Sequence, residues 1–412
     1  MKNILLIIPN LNFGGAQRSF SKLHVALNEK YKVIPVVFNN DLGVAFPLSG
    51  ELISLDIPGG NSIFMKIVNF FRRVRKLRQI KKSREIDISI SFLEGADFVN
   101  VLSKSKDKVI LSIRGSKIND ETIKGKIGWI RKKLFIPFLY NRADHITIVN
   151  TGILNELNQY FGLTKIKKTL IYNCYDIEAI EKQAEEVFPV LLDFLHDKPY
   201  IIFSGRLAIE KGIDKLVYIY SRLKSRKTHR FVIVGSGPIL QELLINCREL
   251  NLKIFNPWED NPRLAAESEV VFLDEQANPH KFVSKAKIFL MASSSEGFPN
   301  ALAEAMICGT PVVSADCPWG PREILSAKYF PKEHLQYAEF SEYGILMPVI
   351  SLRKGEELDN AQSIWINTLD ALLEDNQKRR NLYSDKGKER MKDFSIEKNI
   401  KIWEDIITDL GF

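Results

Sequence analysis

"KIFLMASSSEGFPNALAEAMICGTPVVSA", residues 287–315, runs from an apolar stretch through a Gly-Phe-Pro turn and an Ala-rich segment into a second apolar stretch. Strand, turn, helix and strand in that order are the repeating unit of a parallel sheet covered by helices. Two carboxylates, Glu296 and Glu304, flank the turn and the start of the Ala-rich run. Acids near a helix N-terminus complement its dipole. That explanation suits Glu304 better than Glu296, which lies before the turn.

The same alternation extends outward in both directions. "NILLIIP", "KVIPVVF", "DISISF", "KVILSI" and "HITIV" read as buried strands in the first 150 residues, and "YIIFSG", "RFVIVGSG", "KIFLMAS" and "PVVSA" do so after 199. Near-continuous apolar strands separated by helices imply parallel sheets, and two such series imply an α/β protein of two doubly wound, Rossmann-like domains. A length of 412 residues fits two domains of ordinary size. We expect one over 1–178 and the other over 179–394, with "IYNCYDIEAIEKQAEEVFPVLLDFLHDKP" between the two strand series as a linker region. The tail 395–412 carries Ile400, Trp403, Ile406, Ile407 and Leu410 at helical spacing behind a candidate N-cap, Ser395. Its apolar stripe calls for a packing partner.

Composition excludes several classes. Hydrophobic residues at 45% and charged residues at 26% are those of a globular protein. No apolar run approaches the roughly 20 residues of a transmembrane helix. "MKNILLIIPNLNFGG" reads as a first strand and a Gly turn rather than a signal peptide. The four cysteines, Cys174, Cys247, Cys308 and Cys317, and the six histidines show no ligand or redox spacing. A reduced, cytoplasmic protein without a bound metal is expected. The net charge of +8 suits several anionic partners and selects none.

Three strand–glycine–helix junctions stand out, because N–H groups at a helix start bind anions. They are Gly14-Gly15-Ala16, Gly235-Ser236-Gly237-Pro238 and Gly297-Phe298-Pro299-Asn300, with Pro238 expected in the first turn of its helix. Any one of them is ordinary. Three, spread over two similar domains, suggest a ligand held in a cleft between strand ends. "FSGRLAIEKG" adds Gly205-Arg206 at a strand end and Lys211-Gly212 shortly after. A planar fork of donors and a point charge suit a diphosphate, whereas alone they would read as a solvated loop. A carboxylate accepts hydrogen bonds from hydroxyls. A nucleotide sugar offers a ribose on one side of its diphosphate and a hexose on the other, one for each glutamate.

These residues resemble the retaining glycosyltransferases of family four, with the GT-B fold. "GGAQRS", "ADHITIVNTGILNEL…LIYNCYD", "FSGRLAIEKGIDKLV", "VIVGSGP" and "EGFPNALAEAMICGTPVVSADCPWGPREIL" carry the resemblance over nearly the whole chain. It implies two domains facing across a cleft and a C-terminal helix crossing back to the first. It further implies that Arg206 and Lys211 hold the donor diphosphate as leaving group. Glu296 would then meet the transferred sugar and Glu304 the ribose. Main-chain groups at Gly297, Phe298, Pro299, Asn300 and Ala301, with the turns at Gly205, Gly235 and Gly237, would line the donor site. Gly15 would close it from the first domain. The family needs no metal or cofactor, the basic pair offsetting phosphate charge. Where many members carry a histidine on the acceptor side, this chain reads "ILSIRGSK", so Gly14 and Arg114 are the acceptor-side candidates.

The acceptor is expected to be a glycan on a lipid carrier, in lipopolysaccharide, capsule or other surface polysaccharide biosynthesis. Residues 63–84, "IFMKIVNFFRRVRKLRQIKKSR", contain nine cations and no acid. Ile63, Ile67, Phe70, Phe71, Val74 and Leu77 form an apolar stripe set apart from most of the cations, with packing on the domain's own sheet as the plainest use of that stripe. "KGKIGWIRKKLFIPFLYNR", 124–142, repeats the character. Basic amphipathic surfaces bind anionic lipid, so 63–84 is expected to attach the protein to the inner face of the cytoplasmic membrane. Two other readings compete. A nucleotide-sugar epimerase shares the architecture, but the paired glutamate motif and the Arg206/Lys211 spacing speak against it. A nucleic-acid-binding protein is disfavoured because the aromatics of 63–84 do not interleave with cations, and no nucleic-acid partner is expected.

Overall fold

A computed structural model of the chain describes residues 1–411 except 13, 42, 119–124, 262–263, 327–334, 352–358 and 375–376. The chain forms two compact units, Met1–Cys174 with Ile396–Phe412, and Tyr175–Ser395. Lys124, the first residue of the second basic stretch, lies outside the described residues.

The first unit is built on β1 (Asn3–Ile8), β2 (Lys32–Val37), β3 (Ile53–Ser54), β4 (Ile88–Phe92), β5 (Lys108–Ile113), β6 (His145–Ile148) and β7 (Lys168–Leu170). They pair in parallel in the order β3-β2-β1-β4-β5-β6-β7. Ile4 through Ile8 of the central strand are all buried, so both faces of the sheet are covered. Strand alternation sends Ile4, Leu6 and Ile8 to one face, where they meet Phe20 and Leu23 of the helix Gly15–Leu27. Trp403, Ile406 and Ile407 of the C-terminal helix Ile396–Asp409 join the same core, which accounts for that helix's apolar stripe. Leu5 and Ile7 point to the opposite face. There they meet Leu77 of the helix Ile63–Ser83 and Ala96 and Val99 of the helix Glu94–Leu102.

The second unit contains β8 (Tyr200–Ser204), β9 (Arg230–Val234), β10 (Ile254–Phe255), β11 (Val270–Phe272), β12 (Ile288–Met291), β13 (Val312–Ala315), β14 (Glu339–Phe340) and β15 (Ile345–Met347). Their order is β10-β11-β9-β8-β12-β13-β15-β14, parallel except for the edge pair β14–β15. From β8 the chain builds outward through β9 and later returns to place β12 on the other side of β8. The order therefore reverses between β8 and β12, and such a reversal leaves a crevice at the carboxyl ends of the strands.

Two expectations need correcting. Residues 175–199 are not a linker. They form the helix Ile177–Ala184 and the 3-10 segment Val190–His196, and Ile180, Ala184, Leu192 and Leu195 are buried within the second unit. Burial through pairs such as Ile180 and Ala184, one helical turn apart, needs no strand pattern. Pro238 lies outside its helix, which begins at Leu240 after Ile239 as N-cap. The Gly237 carbonyl is taken by the Leu240 N–H, closing a turn ahead of the helix.

Candidate active site

The loops that leave β9, β8, β12 and β13 are stitched together at the strand ends of the second unit. The Gly205 N–H donates to Val234 O at 3.0 Å and the Leu207 N–H to Ser236 O at 2.8 Å, joining the first two loops. The Ser294 N–H donates to Glu210 O at 2.9 Å, joining the β8 and β12 loops across the reversal point. The Glu296 N–H donates to Pro318 O at 2.8 Å and the Trp319 N–H returns to Glu296 O at 2.9 Å, fixing the β12 loop against the β13 loop. The result is a continuous backbone platform that carries most of the expected donor-site residues.

Two glycines make this packing possible. Gly212 has φ of 64°, and a Cβ there would lie 2.2 Å from Ala292 O. A Cβ on Gly237 would lie 2.3 Å from Leu207 O, so the β9 turn sits directly on the loop bearing Arg206.

The side chains on the platform pair acid with base. Lys211 Nζ donates to Glu296 Oε1 at 2.7 Å, and Ser293 Oγ donates to the same oxygen at 2.7 Å. This bond spans the β8 and β12 loops at the reversal of strand order. Arg206 is mostly exposed and donates to Glu210, one turn along. Glu304 lies on the helix Asn300–Ile307, four residues after Asn300, with one oxygen 4.0 Å from His280 Nε2. The Tyr175 hydroxyl donates to Asn300 Oδ1 at 2.7 Å, and Phe298 packs edge-on against Phe394 with ring centroids 5.2 Å apart. Ala301 is in the first turn of that helix, whose N-cap is Pro299.

The structure thus collects Gly205, Arg206, Lys211, Gly235, Gly237, Glu296 and the Gly297–Glu304 segment at one end of one sheet. Sequence reading missed the partners that hold them: Glu210, Ser293, Tyr175 and His280. Ser293, Glu210 and Tyr175 lie within quoted motifs, yet no spacing rule marks a serine, glutamate or tyrosine as the holder of a site residue. His280 lies outside every quoted motif and carries no local signal.

Gly14, Gly15 and Arg114 belong to the first unit. Gly15 opens the helix Gly15–Leu27 directly after the β1 loop. Arg114, at the end of β5, donates to Ser19 Oγ at 3.1 Å and also to Asn173 Oδ1. Ser19 Oγ in turn donates to Gly15 O at 3.0 Å. Arg114 therefore ties the start of the glycine-turn helix to the segment after β7. Nearby, Glu156 accepts from Ser116 Oγ at 2.6 Å and from the Ile118 N–H at 2.9 Å, fixing the loop beyond Arg114. Deeper in this unit, burial raises the Asp97 carboxyl to about 7 although Ser91 and Tyr140 both donate to it.

The described residues include no group of three or more His, Cys, Asp or Glu able to hold a metal, and no helix long and apolar enough to cross a membrane. The helix Ile63–Ser83 departs from the simplest expectation for its stripe. Leu77 is buried, but Ile63, Ile67 and Phe71 are exposed. Three of its cations turn inward, Arg73 to Ile57 O and Lys76 to Leu55 O at 2.7 Å each, and the buried Lys81 to Asp107 Oδ2 at 2.8 Å. The stripe packs through Phe70, Val74 and Leu77, whereas Ile63, Ile67 and Phe71 stay in solvent.

Residues 198–335 match the family described as glycosyl transferases group 1. Over 411 residues the chain is 28% identical to the Campylobacter jejuni N-acetylgalactosamine-N,N'-diacetylbacillosaminyl-diphospho-undecaprenol 4-alpha-N-acetylgalactosaminyltransferase, covering 99% of each. It is 26% identical over 315 residues to a second alpha-1,4-N-acetyl-D-galactosaminyltransferase of that organism, which extends a GalNAc-bearing undecaprenol diphosphate, covering 74% of this chain and 77% of the relative. Among solved structures, Anabaena HepE in complex with UDP and glucose superposes with a TM-score of 0.68 at 18% identity, over 99% of this chain and 100% of that one. Sucrose-phosphate synthase from Thermosynechococcus elongatus gives 0.72 at 15%, over 100% and 99%.

Proposed function

We infer the reaction from what the chain is, a group 1 glycosyltransferase with the GT-B fold, of the retaining and metal-independent type. It moves a hexose or N-acetylhexosamine from a nucleoside-diphosphate sugar to a glycan acceptor in surface-glycan biosynthesis. More specifically, we propose that the sugar is an N-acetylhexosamine and that the acceptor glycan hangs on a lipid diphosphate. The likeness to the Campylobacter jejuni transferase along 99% of both chains supports this reading. Nucleotide sugar and lipid-linked glycan are then the partners, no metal or other cofactor takes part, and the reaction belongs at the cytoplasmic face of the membrane.

One observation carries the donor-side assignment: the Lys211–Glu296 bond, set where the strand order reverses. Cleaving a sugar–diphosphate bond adds negative charge to the departing diphosphate. Lys211 and Arg206 are the cations offered to that charge, and fixed donors aimed at developing charge are worth most in transfer reactions. Before donor arrives their charges rest on Glu296 and Glu210. The diphosphate would take over those contacts and free the Glu296 carboxylate for a sugar hydroxyl. Glu304 is assigned to the ribose, and main-chain groups of Gly297, Phe298, Pro299, Asn300 and Ala301 to the phosphates and sugar. Gly205, Gly235 and Gly237 shape the floor. From the first unit, Gly15 is proposed as a further donor contact, and Gly14 and Arg114 as acceptor contacts.

A thermal-shift screen of nucleotide sugars tests the donor. A ligand at 100 times its Kd adds about 2.7 kcal/mol of stability. A nucleoside-diphosphate N-acetylhexosamine should give the largest shift, and Lys211→Ala should lose most of it. Equal shifts from every nucleotide sugar, unaltered in Lys211→Ala, would contradict the assignment.

A further inference from the structure

Two stretches of the first unit leave large apolar side chains in water. On the helix Ile63–Ser83, Phe64 is 73% exposed, Ile67 53% and Phe71 61%. On the helical segment 125–140, Trp129 is 61% exposed, Phe135 51% and Phe138 61%. Isolated exposed apolar residues are ordinary, but contiguous ledges of aromatics mark interaction surfaces.

The topology brings the two segments to one face of the sheet. Each segment directly precedes a strand of the parallel sheet, β4 or β6, and so runs against the strand direction. Its early residues therefore lie toward the carboxyl end of the sheet. Both segments pack on the helix Glu94–Leu102: Leu77 shares a core with Ala96 and Val99, and Phe135 meets Phe98 edge-on at 6.5 Å. The ledges thus flank one helix on one face of the sheet.

Charge selects the occupant. No acidic residue occurs in 57–84 or in 125–142. Exposed Lys66, Arg72 and Arg75 accompany the first ledge, and Lys133 and Arg142 the second, with the Arg142 guanidinium over the Phe138 ring at 4.6 Å. Aromatics at the centre, cations around them and no acid between match an anionic phospholipid surface, whose headgroups meet the cations while the rings enter the acyl boundary. Cationic residues of this kind reach phosphates while their stems lie on apolar surface.

We propose that the first unit docks on an anionic bilayer by inserting both ledges, Phe64/Ile67/Phe71 and Trp129/Phe135/Phe138. This deepens the lipid-linked acceptor reading and rests on it. It also changes the mode of attachment expected from 63–84. Insertion of apolar side chains adds to the charge attraction, and Arg73 and Lys76 stand aside because they serve the domain's own carbonyls.

The test uses the full chain carrying Trp258→Phe, so that Trp129 is left as its one exposed tryptophan, with vesicles of mixed zwitterionic and anionic phospholipid. Brominated acyl chains near the headgroup should quench the fluorescence, and the quenching should vanish in Trp129→Phe. A triple variant, Phe64→Ser with Ile67→Ser and Phe71→Ser, should need at least about 10-fold more vesicle for half-binding, and the loss should persist at high salt. Transfer to a water-soluble acceptor lacking the lipid should be unchanged in that variant. Vesicle binding without Trp129 quenching, or binding unaffected by the triple change, would overturn the proposal. So would self-association that the triple variant abolishes, which would make a second copy the occupant. A wild-type protein that binds and is quenched yet transfers no sugar would refute the catalytic reading while leaving the docking intact.

Discussion

Lys211 and Glu296 each have an expected ligand contact, and in the structure they hold one another, with Ser293 on the same carboxylate oxygen. With Lys211 bonded to Glu296 at 2.7 Å, removing either side chain disturbs the other. Arg206→Ala and Lys211→Ala should each reduce turnover by roughly 10²–10³ at saturating donor, the scale for losing one donor to developing charge. Near wild-type rates in both would remove the diphosphate role. Glu296→Gln should lower kcat more than Glu304→Gln, which should chiefly raise the donor KM, because a ribose contact is shared by ground and transition states. The opposite ranking would turn the donor around in the site. Asp97 offers a test remote from catalysis. Burial raises its carboxyl to about 7 in the folded chain from an ordinary 3.8. Between those values the unfolded chain is ionised and the folded one still protonated, so this group makes stability fall as pH rises from about 4 to about 7. Relative to wild type, Asp97→Asn should gain about 1.4 kcal/mol per pH unit across that window. The comparison must be made as a difference, since His145, lowered by burial to about 4, contributes the opposite slope. A pH-independent difference in chemical denaturation would contradict the shift.

Elements differ in how plainly the sequence declares them. The central strands were legible because a strand buried on both faces must be apolar throughout, as Ile4 to Ile8 and Phe231 to Val234 are. The glycine turns were legible because close backbone approach leaves no room for a Cβ. The short strands β3, β7, β10, β11, β14 and β15 were not, since two or three paired residues set up no periodicity. The Ile177–Ala184 helix was passed over because only Ile180 and Ala184 of its residues are buried. The C-terminal stripe was read as a buried face, and its partner is the first unit's core, where Trp403 is 3% exposed. Trp403→Ala should therefore cost about 3–5 kcal/mol in denaturant unfolding, as other large core truncations do. A loss under 1 kcal/mol would mean that the helix is dispensable to that core. Gly237→Ala should drive a methyl into the Leu207 carbonyl and shift the Arg206 loop. Weaker donor binding is expected, with a stability cost of about 1–3 kcal/mol. Unchanged donor affinity would show that the β9 turn does not support the site. The platform's partners stayed hidden in the sequence because hydrogen bonds such as Tyr175 to Asn300 join residues that share no local pattern.

At the scale of the whole molecule, the proposed donor-side residues other than Gly15 fall within one unit, whereas Gly15 and the basic and apolar ledges fall within the other. That division fits an enzyme whose second unit recognises a nucleotide sugar and whose first unit meets the acceptor. The central claim is sugar transfer with retention onto a glycan carried by a lipid diphosphate. The most direct measurement incubates the purified full chain with a nucleoside-diphosphate N-acetyl-α-hexosamine and such an acceptor in anionic vesicles, without added divalent metal and with chelator present. Mass spectrometry and NMR then read the product. The account predicts an acceptor longer by one N-acetylhexosamine, joined through an α linkage, with one nucleoside diphosphate released per transfer. A β linkage, a requirement for restored Mg²⁺ or Mn²⁺, or conversion of the donor to its epimer with no acceptor consumed would contradict it.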